Sequence, residues 1–253
     1  MNRLLLTSLF SLTVCAQALH AETLPAPVKA LEDKGLKFHG QFDAPSGLKG
    51  YAAEYQQQGI AVYLTPDGKH ALVGSLYDAQ GRDLSEEPLD RLVFAEIDKA
   101  NWKKLESSTW IADGRNDAPR IVYVFSDPNC PYCTMFWKQA RPWVDAGKVQ
   151  LRHIMVGIIR ADSAAKAAAL LTSPDPARAY LQHEQAGKQS PLKGLASIPP
   201  ETEAKLAANL ELMTEMGTPA TPAIFYRDAK GRLQQQQGAP RMDLLESILG
   251  PRG

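Results

Sequence analysis

Two cysteines with two residues between them, Cys130-Pro131-Tyr132-Cys133, are the part of this chain whose types and spacing can do chemistry. The thiolate is the reactive form of cysteine, and a second thiol within reach can resolve any disulfide that the first one forms. Before the pair, Ile121 to Phe125 is apolar throughout, as a strand buried on both faces would be, and Ser126-Asp127-Pro128-Asn129 breaks it. After it, a helix is expected from Pro131 to Asp145, with Met135, Phe136, Ala140, Trp143 and Val144 on its apolar side and Pro142 kinking or dividing it. Cys130 then stands at a helix start, where unpaired N–H groups and the positive end of the macrodipole favour an anion. Its pKa is expected below the free value of about 8.5, while Cys133, deeper and one turn on, keeps a higher pKa than Cys130 and acts as the resolving thiol. For a pKa of about 4, the thiolate fraction at neutral pH rises roughly thirtyfold while nucleophilicity falls about a hundredfold. The expected gain is therefore rapid departure of Cys130 from a mixed disulfide and a stabilised reduced form, not faster attack.

Other uses of the pair fit less well. A zinc site needs two more ligands, and beyond residue 21 the histidines are His39, His70, His153 and His183, none paired at finger spacing. A purely structural disulfide closing so short a loop removes little chain entropy. The expectation is thus no metal and no cofactor beyond the redox-active Cys130-Cys133 disulfide. A second element is Thr221-Pro222, directly before an expected strand from Ala223 to Tyr226. A proline entering a strand can be cis, leaving backbone of the preceding residue to pair with an extended peptide. The cis form is favoured at Pro222, with an ordinary trans proline as the alternative there and as the reading of Thr218-Pro219.

The elements around these residues place them in a two-part chain. Met1 to Ala21 has Arg3, an apolar run from Leu4 to Ala16 and small residues before Glu22, the layout of a signal peptide cleaved after Ala21 or Ala18. Its dozen or so apolar residues fall short of the roughly 20 needed to cross a bilayer. A lipoprotein reading would use Cys15, but the bulky Val14 before it argues against that. From 22 to 84, a short helix (Pro27 to Lys34, ended by Gly35) precedes runs of strand character at Leu36 to Phe42, Tyr51 to Tyr55, Ile60 to Leu64 and Ala71 to Tyr77. About 60 residues is marginal for a domain standing alone, so this one should pack on the rest or pair with a copy of itself. From 85 to 108 the spacing is helical, with Leu89, Leu92, Val93, Ile97 and Ala100 on one stripe. That stretch reads as a linker helix, the alternative being one more core helix of a neighbour.

From 109 to 253, strand, helix and strand (Val149 to Val156) form a βαβ unit. Helices come next at Ala164 to Leu171, Pro176 to Ala186 and Glu201 to Met216, then a hairpin of Ala223 to Tyr226 with Leu233 to Gln237, then a helix from Asp243 to Leu249. The fold class is α+β, a thioredoxin-like domain with a helical insertion behind a small first domain and a linker helix. Lys plus Arg and Asp plus Glu both number 28, which points to neither nucleic acid nor an anionic membrane as partner.

Three stretches resemble the DsbC/DsbG family of periplasmic disulfide isomerases and chaperones: Val124 to Cys133, Phe136 to Asp145, and Thr221 to Tyr226. Pro131 in the Cys-Pro-Tyr-Cys centre resembles the DsbG branch more than DsbC. The resemblance implies a V-shaped homodimer paired through cystatin-like N-terminal domains and a membrane reductase, DsbD, as electron donor. It implies misfolded or sulfenylated periplasmic proteins as substrates. It makes Cys130 the attacking thiol and Cys133 the resolving one, with Pro131 and Tyr132 between them and Thr221 with cis-Pro222 holding substrate backbone. Two rivals stay open: a DsbA-like oxidase, which also favours proline after the first cysteine, and a chaperone whose cysteines are incidental.

Overall fold

The computed structural model describes residues 23–56 and 58–252, and the expected signal peptide with Cys15 lies outside them. The chain divides into two compact units, Met1–Leu84 and Ser85–Gly253. In the first, helix α1 (Ala26–Glu32) stops earlier than expected, where Gly35 at φ +101° lets the chain turn and Leu36 N–H return to the Leu31 carbonyl. Strands β1 (Lys37–Asp43), β2 (Lys49–Tyr55), β3 (Gln58–Leu64) and β4 (Ala71–Val73) form an antiparallel meander in that order. Val28 of α1 packs with Tyr51, Val62 and Leu64 as its core. Gly50 is required in β2, because a Cβ there would lie 2.3 Å from the Phe42 ring. The fourth strand is shorter than the expected Ala71 to Tyr77: Gly74 at φ +141° ends it, leaving only an isolated bridge between Tyr77 and Asp83.

The second unit begins with the stretch read as a linker helix. It consists of α2 (Glu86–Leu89), a widened π turn (Asp90–Phe94) and α3 (Ala95–Ser107). The extra residue of a π turn rotates the helix beyond it, so the apolar stripe does not continue: Val93 is buried, Ala100 is exposed, and Trp102 and Leu105 do the packing. Trp102 meets Tyr123 edge to face at 5.1 Å. Arg232 pairs with both Asp90 and Asp98, the latter at 2.8 Å, and lies over the Phe94 ring. The second half of this helix is therefore a core helix of the second unit rather than a free connector.

The second sheet has the order β5-β7-β6-β8-β9, with β5 (Trp110–Asp113), β6 (Arg120–Ser126), β7 (Val149–Met155), β8 (Ala223–Arg227) and β9 (Leu233–Gln237). β6 and β7 are parallel, and β5 and β8 run antiparallel to them. β5 is absent from the sequence reading, since its four residues lack strict alternation and only Ile111 is fully buried. Along β6, Val122 and Val124 face α4 (Pro131–Val144) and α8 (Leu245–Leu249), while Tyr123 and Phe125 face α3 and α7 (Pro200–Glu215). Helices α5 (Ser163–Leu171) and α6 (Pro176–Ala186) add a third cluster with Ile111, Trp137 and Met155. Pro142 does not divide α4. It lies two residues from the helix end, and the residue whose carbonyl loses its partner, Lys138, is on the exposed side.

Asp113 at the end of β5 ties α4 to the sheet. It takes a two-pronged contact from Arg141 and a 3.4 Å contact from His153 Nε2. Burial pushes its carboxyl up, but the bonds and charges of His153 and Arg141 outweigh that and bring the pKa from 3.8 to about 2. A depressed acid pKa stabilises the fold above the unfolded value and stops doing so as pH falls through the folded one. Asp113→Asn should therefore cost about 2 kcal/mol at neutral pH. In urea unfolding, the gap between variant and wild type should close as pH falls from 3.8 toward about 2.

Candidate active site

The turn between β6 and α4 is held by one buried carboxylate. Asp127 Oδ1 accepts from Asn129 N–H at 2.8 Å and Ser163 Oγ at 2.8 Å, and Oδ2 accepts from the N–H groups of Ile158 at 2.7 Å and Ile159 at 2.9 Å. Its own carbonyl accepts Cys130 N–H at 3.0 Å. Asn129 adds bonds to Asp162, Ser163 and Lys166, and His183 Nε2 meets the Pro128 carbonyl at 2.8 Å. The loop after β7 is pressed so close to α5 that a Cβ on Gly157 would lie 2.4 Å from Ala164 Cα. Three segments, the loop after β7, the start of α5 and α6, thus converge on the residues just before the dithiol.

Cys130 occupies the N-cap position of α4, at φ −85° and ψ 112°, with Pro131 opening the first turn. Both cysteines are free thiols and both are buried, whereas Tyr132 between them is exposed. The Thr221-Pro222 bond is cis, and the Cys130 thiol donates to the Thr221 carbonyl at 3.3 Å. The Thr221 hydroxyl is buried without a hydrogen-bond partner, and its backbone N–H has none among the described residues. Thr218-Pro219 is trans.

The two sulfurs differ as expected, but the leading cause is not the helix start. Cys130 is lowered from 9.0 to about 6, first by the Cys133 thiol, against the opposing effect of burial, then by Thr221 and by the N–H groups of Cys133 and Tyr132. Cys133 is pushed up by its burial and by the neighbouring Cys130. This shift is milder than the one considered from sequence, and the balance of rates changes with it. Going from 9.0 to about 6 raises the thiolate fraction at pH 7 about ninetyfold and lowers nucleophilicity about twentyfold, so attack gains roughly fourfold. Attack and departure are both favoured.

A polar network lies near Cys133. His153 Nδ1 meets Ser126 Oγ at 3.3 Å and Tyr180 Oη at 3.1 Å. Burial pushes the Tyr180 hydroxyl pKa up, with the charges of Glu184 and Cys133 adding to it. Glu184 is itself buried, and its Oε2 has no hydrogen-bond partner among the described residues. On the side of Cys130, a cavity of about 500 Å³ is lined by Arg160, Lys166, His183 and Lys188 among others.

Residues 111–250 match the thioredoxin-like domain profile, and residues 18–86 match the disulfide bond isomerase protein N-terminal domain. The chain is 68% identical to the thiol:disulfide interchange protein DsbG of Pseudomonas aeruginosa over 92% of its own length and 91% of that protein's. It belongs to the DsbC/DsbG family. To the DsbG of Escherichia coli it is 47% identical, covering 91% of this chain and 93% of the other. DsbC of Pasteurella multocida is more distant, at 28% identity over 59% of this chain and 62% of its own. A member of this family with a thioredoxin-like domain is a thiol-disulfide oxidoreductase, which is the chemistry that a lowered thiol beside a raised one can perform.

The structure brings together all six residues singled out from the sequence: Cys130, Pro131, Tyr132, Cys133, Thr221 and Pro222. It adds Asp127, Asn129 and Ser163 as positioning residues. In sequence Asp127-Pro128-Asn129 reads only as a strand breaker, and nothing there links it to Ile158 or Ser163. Among the described residues, no group of three or more His, Cys, Asp or Glu is placed to hold a metal.

The Cys130 thiol should titrate near 6, read from thiolate absorbance or from alkylation by iodoacetamide, which should slow about tenfold per pH unit below that value. Cys133→Ala removes the largest stabilising cause and should raise the Cys130 pKa, and Thr221→Val should raise it by less. An unchanged value in both variants would mean that the helix start alone holds the anion.

Proposed function

We propose that the protein is a periplasmic reductase and isomerase of disulfides in which Cys130 attacks and Cys133 resolves. The observation that carries this reading is the opposed pair of pKa shifts beside a cis-proline backbone. The Cys130 thiolate attacks one sulfur of a substrate disulfide, forming a mixed disulfide and releasing the other sulfur as a thiolate. Cys133 then gives up its proton and attacks Cys130, freeing the substrate thiol and leaving the Cys130-Cys133 disulfide. Where the released substrate thiol attacks the mixed disulfide at a new position, the result is isomerisation with no net electron transfer. With a sulfenic acid, attack on sulfur expels hydroxide, and the same resolution returns the thiol. Each reduction leaves two electrons to be restored, and the family resemblance supplies the membrane reductase DsbD as donor. No bound cofactor enters this scheme.

The free N–H of Thr221 is suited to an extended substrate strand. Exposed Tyr132, Ile158 and Ile159 on the segments around the dithiol give unfolded segments an apolar surface. No helix among the described residues is long and apolar enough to cross a membrane, which suits export behind a cleaved signal. For the first unit we propose self-pairing into a homodimer. Among the described residues its edge strand β4 has an unpaired side, and Leu72, Val73 and Tyr77 on and after it are more than half exposed.

Cys130→Ala should abolish reduction of a disulfide-scrambled protein, and Cys133→Ala should accumulate mixed disulfides visible on a non-reducing gel. Full turnover by the Cys130 variant ends this reading. Trapping of the thiols in periplasmic extracts should find the pair mostly reduced, and a mostly oxidised pair would indicate an oxidase instead. A charge on the open edge, Val73→Asp, should shift the protein on a sizing column from two chains' mass to one.

A further inference from the structure

The cavity beside Cys130 is basic in a chain that is not. Lys plus Arg and Asp plus Glu are equal at 28 each over the whole sequence. The cavity wall nonetheless contains Arg160, Lys166 and Lys188 and, among the described residues, no carboxylate. Lys166 is compensated, since its ammonium lies 2.9 Å from Asp162 and 2.9 Å from Asn129 Oδ1. His183 is also committed, with Nε2 on the Pro128 carbonyl and Nδ1 on Ser190 Oγ. Glu184 is buried and does not line the space. Arg160 and Lys188 are left with no ion pair or side-chain hydrogen bond among the described residues.

These two cations are not on loose chain. Arg160 N–H is held by Ser163 Oγ at 3.0 Å, directly after the two residues whose N–H groups bind Asp127. Lys188 lies in the short helical turn Gly187–Gln189 after α6. Both line the space that contains the reacting sulfur, and an extended peptide advances only about 3.3 Å per residue. Side chains within about three residues of a substrate cysteine bound at Cys130 can therefore reach them, well inside the range over which salt leaves charges in contact.

We propose that this cavity is a subsite for carboxylate side chains flanking the substrate's reacting cysteine, so that the enzyme prefers acidic segments. The inference rests on Cys130 being the attacking sulfur. It is tested with the full-length mature protein and three peptides, each with one cysteine as a mixed disulfide with thiopyridine and flanked by glutamate, serine or lysine. Release of thiopyridone on first attack is followed spectroscopically at low salt.

The glutamate peptide should react faster than the lysine peptide by roughly five- to tenfold, the size expected of two exposed charge pairs. High salt should bring that ratio toward one. In Arg160→Glu/Lys188→Glu the ratio should invert, a result that general loss of activity or partial unfolding does not produce. Equal rates for the acidic and basic peptides, with Cys130-dependent reaction of all three, overturn the subsite and leave the nucleophile in place. So does a glutamate preference that the double variant retains. Absence of Cys130-dependent release from every peptide overturns the underlying reading and the subsite with it.

Discussion

The carboxylate of Asp127 is the constraint on which the active site depends. A buried charge is tolerated only when its lone pairs are filled, and here four donors fill them. Three of those donors are backbone N–H groups, so the bonds fix chain path and not merely side-chain position. Through them the end of β6, the loop after β7 and the start of α5 are locked to one point. The carbonyl of the same residue then sets Cys130 N–H at the mouth of α4. The sulfur is placed by a scaffold whose reactive parts need not hold themselves together.

The effect of the fold on that sulfur is moderate. A strongly depressed thiol would trade more nucleophilicity for stability of its anion than it gains, whereas at a value near 6 the gain in thiolate at neutral pH outweighs the loss of nucleophilicity. The largest stabilising contribution comes from the partner thiol, which in turn is held protonated by its burial and by the anion beside it. The unpaired Thr221 hydroxyl fits this arrangement: it has no acceptor beside a neutral thiol and gains one when the thiolate forms.

Much of this could be read from local sequence. The apolar run of β6, the proline after Cys130, and helix α6 between Pro176 and Ala186 are set by patterns a few residues long. The order of the two thiol pKa values is legible too, although the helix start from which it is read is not its leading cause: for Cys130 that is the Cys133 thiol, and for Cys133 it is burial. The features that escaped depend on distant partners. β5 exists because β7 offers it an edge, Asp127 matters because Ile158 and Ser163 come to meet it, and the basic cavity joins residues from four segments. The stripe read from Leu89 to Ala100 failed for a different reason. It assumed an unbroken 3.6-residue period across a turn that contains one residue more.

That widened turn has a consequence for how the chain tolerates change. One residue corresponds to roughly 100° of helical rotation, so the surplus residue between Asp90 and Phe94 acts as a phase offset between α2 upstream and Trp102 and Leu105 downstream. Shortening the segment by one would restore an ideal helix, and the improved local geometry would carry the indole and the leucine away from Tyr123 and Phe125. A gain in regularity there is a loss of fit against the sheet.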